Sequence, residues 1–204
     1  MILGITGGLG CGKSTAASGL ARRGFRHIDT DAIVRDHVLT RPEVLAALEG
    51  HFGGEVLKGG AVNRPWLAAI VFADDSAREW LEALTHPVLF AEWRRLVASA
   101  PAARWAVEAP LLFEKQLENW FDFIVCVTCA PDQQLTRLEQ RGLPRALAEQ
   151  RFSKQLPLAR KIELADFALS NDGSTDFLVQ QISLLLEALP PASGEYQVLV
   201  RSKW

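Results

Sequence analysis

"MILGITGGLGCGKST" (residues 1–15) joins an apolar run to a glycine-rich turn, and this combination indicates the fold class. Residues 7–14 match G-x-x-x-x-G-K-[ST], the pattern of a phosphate-binding loop between a strand and a helix. Glycines at 7, 8, 10 and 12 allow successive N–H groups to turn toward a phosphate without an obstructing Cβ. A helix predicted to begin near Lys13 adds the positive end of its dipole. The stretch therefore predicts a nucleoside triphosphate site.

Within this loop, the residue types indicate individual roles. Lys13 is expected to reach the β- and γ-phosphates, and the Ser14 hydroxyl is expected to ligate Mg²⁺. Cys11 lies beside Lys13 and a helix N-terminus, two features that lower a thiol pKa. We therefore hypothesise that oxidants reduce the activity of the protein.

Outward from the loop, strand and helix patterns alternate along the chain. Strands are predicted at 2–5, 25–28, 104–110, 121–129 and 166–171, and helices at 31–39, 42–51, 64–73, 75–84, 86–100, 131–141, 144–156 and 174–188. The alternation predicts an α/β, three-layer fold of the P-loop NTPase type with a mostly parallel five-stranded sheet. The predicted core comprises 1–39 and 104–189, with a helical lid at about 137–160. Residues 40–103 are a predicted helical, acceptor-binding insertion with a small hairpin, and 190–204 a C-terminal tail.

The overall composition excludes several classes of protein. The chain has 204 residues, 49 % hydrophobic residues and a formal net charge of −2, which argues against a dedicated nucleic-acid or membrane-surface binder. It has no signal-peptide pattern and no apolar run long enough to span a bilayer, so we expect a soluble, cytoplasmic protein. Cys126 and Cys129 form a lone C-x-x-C in an apolar strand pattern, and we interpret them as packing residues.

Two aspartates in "HIDTDAIVR" (residues 27–35) follow the second predicted strand. Ligands of open α/β sheets bind beyond the carboxyl ends of the strands, which places these aspartates near the phosphates. Asp29 suits either a helix N-cap or a place around the metal. Asp31 is expected to face the acceptor and to accept its hydroxyl proton, as a catalytic aspartate does in other phosphoryl transfers.

Later in the chain, arginines and a polar turn favour a closing lid. Arg137 and Arg141 are four residues apart, hence on one helix face, and Gly142 then breaks the helix. A lid of this kind excludes water, so that transfer is faster than hydrolysis. Asn171 follows the last predicted strand, where a loop is expected to meet the adenine.

Six segments in this order resemble the dephospho-coenzyme A kinase family. They are Thr6 to Ser14, Asp29/Asp31/Arg35, His86-Pro87, Pro110 to Glu114, Arg137/Arg141 and Ala165 to Gly173. The resemblance runs from Ile2 to about Leu189. It implies transfer of the ATP γ-phosphoryl group to the ribose 3′-hydroxyl of dephospho-coenzyme A, giving coenzyme A and ADP, the last step of coenzyme A biosynthesis.

The resemblance also assigns residues, with Mg²⁺ as the cofactor and ATP as co-substrate. The implied catalytic residues are Asp31, Lys13 and Arg141. The implied ATP-binding residues are Gly8, Gly10, Cys11, Gly12, Lys13, Ser14, Thr15, Arg137, Arg141 and Asn171. The implied substrate-binding residues are Asp31, Arg35, Arg64, His86, Glu108 and Pro110. The metal is assigned to Ser14, with Asp29 or Glu108 acting through water.

Several alternatives remain open at this point. A histidine before proline at a helix start is often structural, so His86 has two interpretations, and Glu108 suits either a metal or an acceptor role. Shikimate kinase also combines a P-loop with Asp-x-Asp, but its small acceptor needs no helical insertion of this length. A GTP-driven switch would carry Asn-Lys-x-Asp, which is absent from the sequence. We expect small-molecule partners only, no nucleic acid or membrane, and a monomer or weak homo-oligomer.

Overall fold

The computed structural model describes residues 1–190, so the predicted tail, 190–204, lies outside the described residues apart from residue 190. The chain divides into two compact units. The nucleotide unit, as we call it, comprises residues 1–28 together with those from 101 onward, and the helical unit comprises residues 29–100. The sequence predicted these boundaries at 39/40 and 103/104. No helix within residues 1–190 is both long and apolar enough to cross a membrane.

Seven strands and nine α-helices form within residues 1–190. The strands are β1 (Ile2–Gly7), β2 (Phe25–Asp29), β3 (Leu57–Lys58), β4 (Ala61–Val62), β5 (Arg104–Glu108), β6 (Phe123–Thr128) and β7 (Phe167–Ser170). The helices are α1 (Lys13–Ala21), α2 (Thr30–Ile33), α3 (Pro42–Phe52), α4 (Arg64–Ala73), α5 (Asp75–Ala98), α6 (Pro131–Gln140), α7 (Arg145–Ser153), α8 (Leu158–Leu164) and α9 (Thr175–Ala188). The helical unit also has a five-residue π-helical turn, Val34–Val38, and a short 3₁₀ turn, Gly54–Val56. The nucleotide unit has a short 3₁₀ turn at Glu118–Trp120.

The nucleotide unit is built on the predicted five-stranded sheet, in the order β2-β5-β1-β6-β7. The central strand β1 pairs in parallel with both β5 and β6, and β6 pairs in parallel with β7. Every residue of β1 is buried, as expected for a parallel strand covered on both faces. Its apolar residues pack with those of α1 and α9, among them Leu20 and Ile182. This core fixes the carboxyl ends of β1, β5 and β6 beside one another.

Within the helical unit, the structure corrects one sequence prediction. The two helices predicted at 75–84 and 86–100 are a single helix, α5, with Pro87 inside it. A proline inside a helix lacks one backbone donor and usually bends or ends the helix. Here the buried residues Thr85, Leu89 and Trp93 lie on both sides of Pro87, so packing keeps the helix continuous. The predicted hairpin forms between β3 and β4.

A second correction concerns the predicted lid. The helix predicted at 144–156 forms as α7, which ends three residues earlier at Ser153, but the helix α8, which begins at Leu158, was not predicted. Pro157 occupies the cap position of α8. Since a proline disfavours the helical conformation of the preceding residue, it separates the two helices.

Candidate active site

The phosphate loop connects β1 to α1, and its glycines are required by geometry. Gly7 has φ of +140°, and a Cβ there would lie 2.1 Å from the carbonyl oxygen of Val127. Gly12 has φ of +91°, and a Cβ there would lie 2.2 Å from Nδ2 of Asn171. Helix α1 begins at Lys13, as the sequence predicted. The first N–H groups of a helix lack intrahelical acceptors, and this is the arrangement that binds phosphate in such loops.

Lys13 contacts the loop that it follows. Its Nζ donates hydrogen bonds to the carbonyl oxygens of Gly7, at 3.3 Å, and Gly8, at 3.0 Å. The side chain is buried. A lysine that is already held over the loop needs little rearrangement to bind a phosphate oxygen, because its ammonium group is ordered before the ligand arrives.

Three polar side chains converge at the carboxyl end of β5. The Ser14 hydroxyl donates to Oε1 of Glu108 at 2.8 Å, and Nε2 of His27 lies 3.5 Å from Oε2 of the same carboxylate. Burial alone would raise the pKa of Glu108, but hydrogen bonds from His27 and Ser14 and the charge of Lys13 hold this pKa below its usual value. Glu108 is therefore an ionised carboxylate beside a hydroxyl. Such hard oxygens are the ligand type that Mg²⁺ prefers.

His27 was not among the sequence-predicted site residues. It lies on strand β2, and its side chain is partly exposed. Its position two residues before Asp29 could have identified it as a candidate site residue. Its contact with Glu108 spans 81 positions of sequence, which no local pattern predicts.

The predicted residues Asn171 and Arg137 support the loop from its other side. Nδ2 of Asn171 donates to the carbonyl oxygen of Cys11 at 2.9 Å, and Arg137 donates to the carbonyl oxygen of Asn171, also at 2.9 Å. Arg141 is exposed at the C-terminal end of α6. The structure thus brings Arg137 and Asn171 to the phosphate loop, whereas Thr15 and Arg141 remain exposed at their helix ends. Contacts of these residues with the adenine or the phosphates stay a prediction.

Pro110 is held by a buried lysine that the sequence analysis missed. Nζ of Lys161, which is fully buried, donates to the carbonyl oxygen of Pro110 at 2.8 Å and pairs with Oε1 of Glu114 at 2.8 Å. The same oxygen of Glu114 accepts from the backbone N–H of Leu156 at 2.8 Å. These bonds join the loop after β5 to the chain that leads into α8. Lys161 lies between the helices predicted at 144–156 and 174–188, and its local sequence gives no signal of such burial.

In the helical unit, the two aspartates of the Asp-x-Asp pattern differ. Asp29 caps α2, because its Oδ1 accepts from the N–H of Ala32 at 3.0 Å, which confirms the capping interpretation. Asp31 lies in the first turn of the same helix and is exposed. A negative charge there is favoured by the helix dipole. The metal role of Asp29 and the catalytic role of Asp31 stay predictions.

Arg35 lies in an irregular part of the same segment. The N–H of Leu39 donates to the carbonyl oxygen of Val34 at 2.9 Å, five residues back, which widens the helix into a π turn. Such turns occur frequently at functional sites. Within this turn the exposed guanidinium of Arg35 makes two hydrogen bonds of 2.7 Å to Asp36. The hydrogen bond to Asp36 raises the pKa of Arg35 further.

Arg64 and His86 complete the predicted acceptor residues. Arg64 is exposed at the start of α4, and its charge adds to that of Arg35 in lowering the pKa of Asp36. The sequence predicted His86 at the start of a helix. Instead, His86 lies half-buried inside α5, with its ring 5.5 Å from that of Phe90. Substrate contact by either residue stays a prediction.

No group of three or more His, Cys, Asp or Glu side chains within residues 1–190 forms a metal-binding cluster. A cation bound mainly by phosphate oxygens needs only one or two protein ligands. The Ser14–Glu108 pair fits that limited requirement.

The sequence and the structure were compared with those of known proteins. A family model described as dephospho-CoA kinase matches residues 1–176. A dephospho-CoA kinase from Thermosynechococcus vestitus is 41 % identical over 183 residues, which cover 88 % of this chain and 90 % of the relative. One from Syntrophotalea carbinolica is 38 % identical over 196 residues, covering 94 % and 93 %, respectively.

Solved structures agree with these matches. A crystal structure from Thermus thermophilus has a TM-score of 0.82 and 31 % sequence identity, covering 94 % of this chain and 98 % of the other. The dephospho-CoA kinase from Campylobacter jejuni has a TM-score of 0.67 and 25 % identity, covering 91 % and 95 %, respectively. The predicted fold class is confirmed.

Proposed function

The chain belongs to the dephospho-CoA kinase family, and we propose that it transfers the γ-phosphoryl group of ATP to the ribose 3′-hydroxyl of dephospho-CoA, giving CoA and ADP. The observation that carries this proposal is the family match over residues 1–176, which includes both the phosphate loop and the Asp29–Arg35 segment. The structure supports it with a phosphate loop whose Lys13 is already bonded to the loop carbonyl of Gly8, and whose Ser14 hydroxyl is bonded to Glu108 at the end of β5.

ATP is bound by the nucleotide unit. Its β- and γ-phosphates occupy the loop, where the N–H groups of Gly10 to Ser14 and the ammonium of Lys13 donate to phosphate oxygens. Lys13 then exchanges its bonds to the loop carbonyls for bonds to the γ-phosphate. Arg137 and Arg141 add positive charge from α6 as charge develops on the transferred group.

The acceptor is activated by Asp31. Its carboxylate accepts the proton of the 3′-hydroxyl while the oxygen attacks the γ-phosphorus in line. The new P–O bond forms as the bond between the γ-phosphorus and the β,γ-bridging oxygen breaks, and ADP leaves with the electron pair. Arg35, Arg64 and His86 bind the acceptor, whose diphosphate suits the planar donors of arginine.

Mg²⁺ is the cation that the family implies. It neutralises phosphate charge when it is bound with ATP. The Ser14 hydroxyl and the Glu108 carboxylate, which are 2.8 Å apart, would hold it directly or through water. His27 keeps Glu108 ionised and oriented, as a partner of a metal-binding carboxylate does.

A coupled ADP-release assay with a panel of acceptors tests the proposal. Dephospho-CoA, shikimate, uridine and nucleoside monophosphates are compared at equal concentration with ATP and Mg²⁺. We expect kcat/KM for dephospho-CoA to exceed that for every other acceptor by at least about a thousandfold, since an acceptor site built for a large substrate loses most of its contacts with a small one. Equal or faster turnover of shikimate or a nucleoside monophosphate would refute the assignment.

A further inference from the structure

Two cysteines from distant parts of the sequence meet beside the phosphate loop. Sγ of Cys129 lies 3.5 Å from Sγ of Cys11, although the two residues are 118 positions apart. Strand pairing explains this contact, because Gly7 of β1 is paired with Val127 of β6 and each cysteine follows shortly after its strand residue. The sequence analysis grouped Cys129 with Cys126, but the structure pairs it with Cys11.

The surroundings of Cys11 activate its sulfur. The thiol of Cys129 donates to Sγ of Cys11, and Nε2 of Gln134 donates to the same sulfur at 2.8 Å. The Cys129 bond is the main cause that lowers the pKa of Cys11, against burial, with Gln134 and the charge of Lys13 contributing in the same direction. In turn, this bond and burial raise the pKa of Cys129, which keeps its proton. Cys11 is thus the nucleophile of the pair and Cys129 the proton-bearing partner.

We propose that Cys11 and Cys129 form a redox pair that a peroxide converts into a disulfide, and that this disulfide prevents nucleotide binding by the phosphate loop. No step of the proposed phosphoryl transfer uses the thiol group of either cysteine.

The chemistry proceeds in two balanced steps. The Cys11 sulfur attacks a peroxide oxygen, so that an S–O bond forms, the O–O bond breaks and the first water leaves with the thiol proton. Sulfur loses two electrons, and the peroxide accepts them. The Cys129 sulfur then attacks the Cys11 sulfur, the S–S bond forms, the S–O bond breaks, and the hydroxide leaves as a second water with the Cys129 proton. Two thiols and one hydrogen peroxide therefore give one disulfide and two waters.

The disulfide moves the loop because the sulfurs must approach. A disulfide requires a separation of about 2.05 Å, roughly 1.5 Å less than that of the two thiols. The backbone of Cys11 is bonded on both sides, from its N–H to the carbonyl of Gly8 at 3.2 Å and from Asn171 to its own carbonyl. Drawing Cys11 toward β6 therefore shifts peptide groups of the loop in which the proposed function places the phosphates. Gly10 moves with them, since its carbonyl lies 3.9 Å from Sγ of Cys129.

The third cysteine is a matched control. Cys126 is buried within β6, and burial raises its pKa to about 11. It is therefore a poor nucleophile, although it lies only three positions from Cys129. A peroxide-driven change that depends on Cys11 and Cys129 but not on Cys126 identifies the pair.

The test measures covalent state and ATP binding rather than turnover, so that its outcome is independent of the acceptor. Reduced wild-type protein, Cys129→Ser and Cys126→Ser are treated with hydrogen peroxide, digested for peptide mapping, and titrated with an ATP analogue. In the wild type and Cys126→Ser we expect a Cys11–Cys129 disulfide, an ATP affinity at least tenfold lower, and full recovery with dithiothreitol. In Cys129→Ser we expect a Cys11 sulfenic acid, trapped by dimedone, and no intramolecular disulfide.

Three results would overturn the proposal. The first is a disulfide that includes Cys126. The second is a wild-type protein whose thiols stay free at peroxide concentrations that modify Cys11 in Cys129→Ser. The third is a Cys11–Cys129 disulfide that leaves the ATP affinity unchanged. Thermal melts of the reduced proteins verify that each variant is folded. Cys126→Ala replaces Cys126→Ser should the serine unfold the strand.

Discussion

The phosphate loop and the Asp29–Asp36 segment are both short polar stretches that follow a strand, yet they are held in opposite ways. The loop is fixed by partners far along the chain, such as Glu108 for Ser14 and Asn171 for Cys11, 94 and 160 positions away. The segment is held by local bonds, from Asp29 to Ala32 and from Arg35 to Asp36. This contrast shows that the phosphate loop is assembled by the fold itself, whereas charged groups of the Asp29–Asp36 segment are exposed and paired with their neighbours.

Asp31→Asn is the variant with the largest expected effect on catalysis. The amide has nearly the same size as the carboxylate but cannot accept the hydroxyl proton, so we expect kcat to fall by about 10²–10⁴. ATP affinity, measured by calorimetry with a non-hydrolysable analogue, should stay within about twofold of the wild type. Glu49→Gln, the corresponding change at an exposed helix position, is the control. Near-normal turnover of Asp31→Asn would exclude a base at this position.

Lys161→Met tests how much the buried bonds of Lys161 contribute to the stability of the nucleotide unit. The change leaves the carbonyl of Pro110 and the carboxylate of Glu114 without their buried partner, and we expect a loss of about 3–5 kcal/mol in the free energy of unfolding. Urea denaturation measures it, with Lys58→Met as the exposed control. A loss no larger than in that control would show that these buried bonds contribute little.

Lys13→Ala is expected to impair both binding and chemistry. Removal of a preorganised cation beside the transferred phosphoryl group lowers kcat by about 10²–10³, and the same charge contributes to ATP affinity. Steady-state kinetics together with ATP titration separate the two effects, and Lys58→Ala controls for truncation of a lysine. Unimpaired ATP binding in Lys13→Ala would contradict the position assigned to the phosphates.

Arg35→Ala should affect the acceptor more than the nucleotide. Loss of hydrogen bonds to a charged ligand group raises the KM for dephospho-CoA by about 10- to 100-fold, with a smaller change in kcat and none in the KM for ATP. Arg95→Ala is a matched control, because Arg95 is likewise an exposed arginine bonded to a nearby acid, Glu92. Equal effects of the two variants would remove Arg35 from the acceptor site.

Sequence patterns predicted the elements of this fold better than the contacts between them. The core strands other than β2 are mainly apolar runs, and the phosphate loop has a fixed spacing, so they could be located from the chain alone. Pro87 misled the prediction because a local rule for helix ends was overridden by packing of the surrounding helix residues. The pairs Cys11–Cys129 and Lys161–Pro110 were beyond prediction, since they depend on strand pairing and burial across 118 and 51 positions.

The position of the new phosphate tests the central claim most directly. Dephospho-CoA, ATP and Mg²⁺ are incubated with the wild-type protein, and the purified product is analysed by phosphorus NMR with coupling to the ribose protons. We predict one new phosphate monoester, coupled to the proton on the 3′-carbon, and one equivalent of ADP. A phosphate on the 2′-oxygen or on the pantetheine hydroxyl, or free phosphate with dephospho-CoA unchanged, would contradict it.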